Sequence, residues 1–322
     1  MRVAVTGARG YVGGAVVRAL LAEGHEVAAL VRGPSVALDG RVQQVQGDVR
    51  DAAAIRALVR GADAVAHTAA WVHKSADHAT ARAECFSVNV GGTRAVVEAL
   101  AAEGRRHLVY VSSIAVYGGP IQGATESAPL HPNTAYGKSK LEAEHVVLEA
   151  AKIGRITGCV LRPSVVYGPG APGNTERLLS LVRRAAIPMV RDGANRKSVI
   201  HVDDLARVVV LALLAGERVN GGVYNVAGGS LSVREMAMAL AEGAHVPLRS
   251  MWTPAWPWSA AAGLAHLASR MTGGRMPDYG RTLEVFSENA TVDASRIARD
   301  LAVEFRDPYR GLVESVGDSA AK

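Results

Sequence analysis

Thr6-Gly7-Ala8-Arg9-Gly10-Tyr11-Val12-Gly13 is the stretch that decides the fold. It follows a short apolar run, Arg2–Thr6, and opens a helix-period stretch, Gly10–Ala22, so it reads as the turn between a buried strand and the helix after it. The three glycines at this spacing have separate tasks. Gly7 permits a tight turn, Gly10 lets a pyrophosphate approach the backbone, and Gly13 lets the helix pack against the strand. The free N–H groups at the helix start, around Tyr11 and Val12, then bind the anion.

Outward from this loop the chain alternates strand and helix patterns, the rhythm of βαβ units. Gly24 reads as a helix stop. Strands are expected over Glu26–Val31, Val42–Gln46, Ala62–His67, Arg106–Val111 and Thr157–Leu161, with helices over Val88–Ala102 and Ala135–Ala150. Aromatic residues are few, and Ala, Val, Leu and Gly are many, which suits parallel strands covered by Ala-rich helices. The expected fold class is α/β, a doubly wound parallel sheet with a smaller C-terminal lobe. After Arg162-Pro163 the rhythm breaks, and Gly168–Gly173 reads as a loop. A helix at Glu176–Ala185, strands at Val199–His201 and Val223–Val226, and helices at Asp203–Ala215 and Ser232–Ala241 follow. We place a dinucleotide-binding domain at residues 1–165 and a substrate lobe at 166–322, packed on the sheet with some elements returning to the first domain.

Composition narrows the function. Of the 322 residues, 49% are hydrophobic and 20% charged, ordinary values for a globular enzyme. The 36 basic residues exceed the 30 acidic ones but are spread along the chain, without the cluster that a nucleic-acid footprint requires. Cys85 and Cys159 lie far apart among apolar residues, so they read as buried thiols in a reducing compartment. Neither they nor the histidines show metal-ligand spacing. With no signal-peptide pattern and no apolar run long enough to span a bilayer, a cytoplasmic protein is expected.

The end of the second strand bears on cofactor choice. A carboxylate there bonds the ribose 2′-OH of NAD, whereas this strand ends Leu30-Val31-Arg32. The guanidinium of Arg32, with that of Arg9, suits a 2′-phosphate, although either is equally a solvated surface charge. NADP(H) is therefore expected over NAD(H), which stays possible.

Tyr136-Gly137-Lys138-Ser139-Lys140 puts a phenol and an ammonium four residues apart on one helix face. An ordinary phenol titrates near pH 10, and a neighbouring lysine cation favours the phenolate, bringing Tyr136 into range for acid–base work. Upstream, Val109-Tyr110-Val111-Ser112-Ser113 runs off the carboxyl end of a strand, where ligands bind in such sheets. Ser113 would there polarise the same substrate oxygen.

The Thr6–Gly13 loop and the order Ser113…Tyr136…Lys140 resemble those of the extended short-chain dehydrogenases of the epimerase/dehydratase type. So do Gly47-Asp48-Val49, His67-Thr68-Ala69-Ala70, Asn89-Val90-Gly91-Gly92-Thr93, Leu161-Arg162-Pro163 with Val166-Tyr167-Gly168, and His201-Val202-Asp203-Asp204-Leu205. The likeness runs from residue 1 to about 230. It implies that Asp48 and Val49 contact adenine, that Thr68, Ala69 and Ala70 line the middle of the cofactor, and that Pro163 belongs to the same site. It also implies that Lys140 holds the nicotinamide ribose, and it selects Ser113 over Ser112, four residues before Tyr117 of the Val-Tyr-Gly pattern. A homodimer through Val88–Ala102 and Ala135–Ala150 is the corresponding expectation.

One departure is informative. Sugar-nucleotide dehydratases of this family carry Asp-Glu directly after the catalytic hydroxyl residue, and Ile114-Ala115 stand here, which disfavours water elimination. The C-terminal third is most similar to the 3β-hydroxysteroid dehydrogenase-like branch, on the apolar segment Trp252–Met271 and on Thr291–Leu301. An apolar alcohol or ketone is thus the expected substrate. Ala260–Ala268, with Leu264 and Leu267, would cover it or rest on a membrane surface beside Arg270, Arg275 and Arg281. A nucleotide-sugar 4-epimerase, with Asn174 and Arg196 near the diphosphate, is the alternative. A non-catalytic cofactor sensor is a third reading, opposed by the intact Ser113, Tyr136 and Lys140.

Overall fold

In the computed structural model, residues 1–33, 38–72, 79–104, 106–172, 174–183, 187–248, 250–253 and 288–320 are described. Strand β1 (Arg2–Thr6) lies inside a seven-stranded parallel sheet with β2 (Glu26–Val31), β3 (Gln43–Gln46), β4 (Ala64–His67), β5 (His107–Val111), β7 (Thr157–Pro163) and β11 (Val223–Val226). From edge to edge the order is β11-β7-β5-β4-β1-β2-β3. The chain winds outward from β1 in both directions, so the order reverses between β1 and β4, and a crevice opens there at the carboxyl ends.

Why these runs form a central sheet is visible in their side chains. Val3 and Val5 join one buried cluster and Ala4 the other; Val109 and Val111 join the first, Leu108 and Tyr110 the second. Successive residues point to opposite faces, and both faces are covered, so apolar residues predominate along the inner strands. Helices α1 (Tyr11–Ala22) and α7 (Val202–Ala215) cover one face. On the other lie α2 (Ala52–Val59), α4 (Gly92–Ala102) and α5 (Ala135–Lys152). Helix α3 (Ala79–Phe86) precedes α4.

The second half of the chain is shared between two places. Strand β11 and helix α7 join the main sheet and its cover. A second sheet runs β12-β10-β14-β6, with β8 also paired to β10. Its strands are β6 (Ile121–Ala124), β8 (Val165–Tyr167), β10 (Arg196–His201), β12 (Gly229–Ser232) and β14 (Ala290–Val292). A further apolar cluster joins Tyr167 and Val199 to Leu178, Leu240 and Leu312 of α6 (Asn174–Arg183), α8 (Val233–Gly243) and α10 (Pro308–Ala320). A parallel pair, β9 (Ile187–Val190) and β13 (Ser250–Thr253), and helix α9 (Ser295–Asp300) complete the elements. Among the described residues no helix is long and apolar enough to cross a membrane. Residues 254–287, with most of the apolar segment expected at Trp252–Met271 and with Arg270, Arg275 and Arg281, lie outside the described residues.

One expected element is corrected. The helix anticipated over Val88–Ala102 is not continuous: Ser87–Gly91 forms a π-turn, and the α-helix begins at Gly92. The Thr93 hydroxyl donates to the Asn89 carbonyl at 2.6 Å, a competitor for the regular ladder.

Leu108 is fully buried in the central strand β5. Leu108→Ala is expected to lower unfolding free energy by about 2–5 kcal/mol in a urea titration; a loss under about 1 kcal/mol would contradict this packing.

Candidate active site

The glycine loop is built where β1 meets the β4 end. Gly7 has φ +73°, and a Cβ there would lie 2.6 Å from the Ala69 amide nitrogen and 2.8 Å from the Thr68 carbonyl carbon. Only glycine lets those two backbones meet. A Cβ on Gly13 would collide with the Gly7 carbonyl and come 2.6 Å from the Thr68 hydroxyl, so α1 rests directly on the turn. Gly10 is different: it is exposed, and a Cβ would meet only the Gly7 oxygen, at 3.1 Å. Its N–H closes the turn onto Gly7 at 2.8 Å, and no side chain caps the start of α1. An exposed backbone surface at an uncapped helix start fits a phosphate. Val12 packs partly on the core, and the Tyr11 hydroxyl, buried beside Gly168, has no hydrogen-bond partner among the described residues.

Arg9 and Arg32 are both exposed. Asp48, after β3, is held bidentately by Arg50 at 2.7 and 3.1 Å, and Arg50 reaches on to Glu84 at 2.9 Å. The Arg50 bonds, with a smaller pull from the nearby Arg32 charge, hold the Asp48 carboxyl below its usual range. Val49 is buried against Gly92, where a Cβ would come 2.7 Å from its side chain. Thr68, Ala69 and Ala70 follow β4, with the Thr68 hydroxyl donating to the Thr6 carbonyl at 2.7 Å. Pro163 ends β7, opposite Val226.

The expected catalytic trio comes together across β5 and α5. Ser113 follows β5 and caps a 3₁₀ turn, accepting from the Ala115 amide at 3.2 Å. Thr134 caps α5 through the Gly137 amide at 3.0 Å, which sets Tyr136 in its first turn. The Ser113 hydroxyl lies close enough to the Tyr136 phenol to favour its ionised form. Lys140, one turn later, is 1% exposed; its ammonium donates to the Val111 carbonyl at 2.7 Å and sits 4.5 Å from the Tyr110 ring centroid.

Burial dominates the electrostatics of Tyr136 and Lys140. Burial pushes the Tyr136 phenol up to about 12, and the neighbouring Ser113 hydroxyl pulls the other way. Burial in turn pushes Lys140 down to about 7, against the Glu144 carboxylate that favours its charge. A lysine so poised is only partly charged at neutral pH, which weakens its pull on the phenol.

Sequence reasoning missed two buried polar assemblies around the trio. Thr6 Oγ1 lies 2.6 Å from His67 Nδ1, and His67 Nε2 lies 2.9 Å from Thr93 Oγ1. Because Thr93 donates to the Asn89 carbonyl, its oxygen must accept from Nε2–H, which leaves Nδ1 to accept from Thr6. The Asn89 amide continues to Ser139 at 2.8 Å, and the Ser139 hydroxyl donates to the Tyr136 carbonyl at 2.8 Å. Burial drives His67 down to about 3, so it is neutral. In the second assembly Arg162 pairs with Glu144 at 2.7 Å. A lone arginine inside an apolar strand was the signal for it.

The cysteines are free and buried; burial raises the Cys159 thiol to about 12. Arg196, considered for a diphosphate, is engaged by the Ser230 carbonyl at 2.5 Å and by Glu235 at 3.3 Å. The side chain of Asn174 lies outside the described residues.

Comparison with known proteins agrees with this architecture. Residues 3–227 match the model of the NAD dependent epimerase/dehydratase family. The chain belongs to that family, whose members are NAD(P)-dependent oxidoreductases and epimerases of the extended short-chain dehydrogenase type. It is similar to sterol demethylase protein B of Methylococcus capsulatus (strain ATCC 33009 / NCIMB 11132 / Bath), 32% identical over 94% of this chain and 93% of the relative. It is also similar to 2-alkyl-3-oxoalkanoate reductase of Stenotrophomonas maltophilia (strain K279a), 31% identical over 77% of this chain and 77% of the relative. Among solved structures, MoeE5 in complex with UDP-glucose and NAD superposes with a TM-score of 0.79 and 25% identity, over 100% of this chain and 99% of that one.

His67 gives a pH prediction. It is neutral in the folded protein and titrates near 6.5 when unfolded, so the unfolded chain binds the extra proton and stability falls as pH drops from about 6.5 towards 3. The stability gap between wild type and His67→Gln should narrow between pH 6 and 4, by about 1.4 kcal/mol per unit. A gap constant across that range in urea titrations would contradict it.

Proposed function

We propose that the chain is an NADP(H)-dependent oxidoreductase that interconverts a secondary alcohol and a ketone on an apolar, steroid-like or long-chain substrate. The observation that carries this reading is the Ser113–Tyr136 hydroxyl pair at the sheet's carboxyl edge, with Lys140 one turn behind it. Gly7, Gly10 and Gly13 would hold the pyrophosphate, Arg9 and Arg32 a 2′-phosphate, Asp48 and Val49 the adenine, and Thr68, Ala69, Ala70 and Pro163 the middle and nicotinamide end. Bound there, the nicotinamide supplies the hydride acceptor or donor.

The chain's own residues supply the proton and the geometry. Ser113 donates a hydrogen bond to the substrate oxygen and holds it beside the phenol. Tyr136 Oη gives a proton to a ketone oxygen, or takes one from an alcohol. Lys140 would hold the ribose hydroxyls, and in its protonated form it favours the phenolate form of Tyr136. The absence of a carboxylate at the end of β2 supports NADP(H), as does the engagement of Asp48 by Arg50. The names of the sterol and oxoalkanoate relatives support a ketone on an apolar frame.

A second reading, nucleotide-sugar 4-epimerase, is favoured by the likeness to the UDP-glucose complex of MoeE5. Against it stands Arg196, whose guanidinium is already engaged by Ser230 and Glu235.

Two measurements check the proposal. Tyr136→Phe is expected to lower ketone reduction by about 10²–10⁴-fold while coenzyme affinity stays within a few fold; unchanged turnover would remove the mechanism. In fluorescence titrations NADPH should bind tighter than NADH, and Arg32→Ala should weaken NADPH about tenfold with little effect on NADH. Tighter binding of NADH by the wild type would overturn the cofactor assignment.

A further inference from the structure

Three consecutive residues at the end of β5 meet α5 at residues one helical turn apart, and two of them are hydrogen-bonded to it. Ser113 stands beside Tyr136. The Val111 carbonyl accepts from Lys140 at 2.7 Å. Between them, the Ser112 hydroxyl donates to Glu144 Oε1 at 2.5 Å. Tyr136, Lys140 and Glu144 stand at four-residue intervals on one helix face, and the last two of them fasten this edge of α5 to the strand end. The Glu144 tie is anchored further by an ion pair. Glu144 is fully buried, and its two oxygens accept from Arg162 Nε at 3.0 and 3.2 Å and from the far guanidinium nitrogen at 2.7 Å. Arg162 is braced in turn by the Tyr117 hydroxyl at 3.0 Å, and Tyr117 by Asn225 at 2.8 Å. The brace therefore crosses from α5 to β7 and β11 beneath the site.

We propose that Glu144 is a positioning residue: held by Ser112 and Arg162, it fixes the register of α5 against the end of β5, and with it the placement of Ser113 and Lys140 about Tyr136. This deepens the oxidoreductase reading and rests on it for its consequence in turnover. Glu144 touches neither Tyr136 nor Ser113 and acts through its neighbours. Its charge also acts on Lys140, favouring the ammonium that burial opposes. The other groups that face Lys140 are Cys85 from α3, His67 from β4, Tyr110 from β5, and Tyr136 on its own helix. Of these, His67 is neutral and burial holds the Tyr110 phenol protonated, so Glu144 is the carboxylate that acts on Lys140.

The test uses the full chain and two kinds of readout. Ser112→Ala unties the strand end and leaves the Glu144–Arg162 pair intact. Its kcat for ketone reduction should fall about tenfold, with the KM for NADPH within about twofold. An unchanged kcat, or a change confined to KM, would overturn the positioning role. Glu144→Gln keeps an acceptor for Ser112 and removes the charge. Followed by ¹³C NMR of ε-labelled lysines, with Lys140 assigned from Lys140→Met, its titration midpoint should move about one unit below the wild-type value. An unmoved midpoint would overturn the electrostatic part. If Glu144→Gln fails to fold because Arg162 is left buried without a partner, Glu144→Gln with Arg162→Met removes both charges, and the same midpoint decides. The NMR result does not depend on turnover. A failure of the oxidoreductase reading would show separately, as Tyr136→Phe turning over like wild type.

Discussion

The main sheet is apolar on both faces, and this confines where chemistry can sit. Val3 to Thr6, Leu108 to Val111 and Cys159 to Leu161 are sealed between helix layers, so polar side chains along these strands have no access to solvent. At the carboxyl ends of the inner strands, side chains become both polar and reachable. There Gly7, Thr68 and Ser113 stand on neighbouring strands, and α5 starts beside them. The parallel arrangement brings these ends to one side, which is why the proposed cofactor cradle and acid–base pair share a crevice.

Polar groups beneath that crevice must satisfy one another, because water does not reach them. The chain from Thr6 through His67, Thr93 and Asn89 to Ser139 does this with neutral partners, and its direction fixes a single His67 tautomer. The assembly of Ser112, Glu144, Arg162, Tyr117 and Asn225 does it with a buried ion pair. Both end on α5, the helix that carries Tyr136. A helix packed only by apolar contacts tolerates small slides, whereas directional bonds to charged partners do not. The precision of the hydroxyl pair is thus carried by groups one layer below it.

Much of this was legible in the sequence, and the reasons differ by element. Glu26–Val31 and Val223–Val226 coincide with β2 and β11, because a strand buried on both faces leaves a continuous apolar run bounded by turn residues. The glycine loop was legible because its spacing is dictated by backbone approach, and Gly7 and Gly13 indeed have no room for a Cβ. Strands β6, β8, β12 and β14 were not legible: they span three or four residues and are defined by partners, as where Ser198 accepts from the Val292 amide. Helix α2 carried a readable sign in Asp51, which caps the Ala53 amide at 2.8 Å ahead of an alanine run. At the site, the residue types of the trio and their spacing were visible. The placement of Lys140 was not, since its charge depends on burial and on Glu144, and the Glu144–Arg162 partnership depends on the packing of α5 against β7.

The central claim is that this crevice passes hydride between nicotinamide and a carbinol carbon, with Tyr136 handling the proton. The most direct measurement follows deuterium from [4-²H]NADPH during reduction of steroid-like and long-chain ketones by the purified protein. The account predicts an alcohol product that carries deuterium on its carbinol carbon, formed by wild type and lost in Tyr136→Phe. No labelled alcohol from any ketone, together with C4 inversion of UDP-glucose, would contradict it and transfer the site to sugar epimerisation.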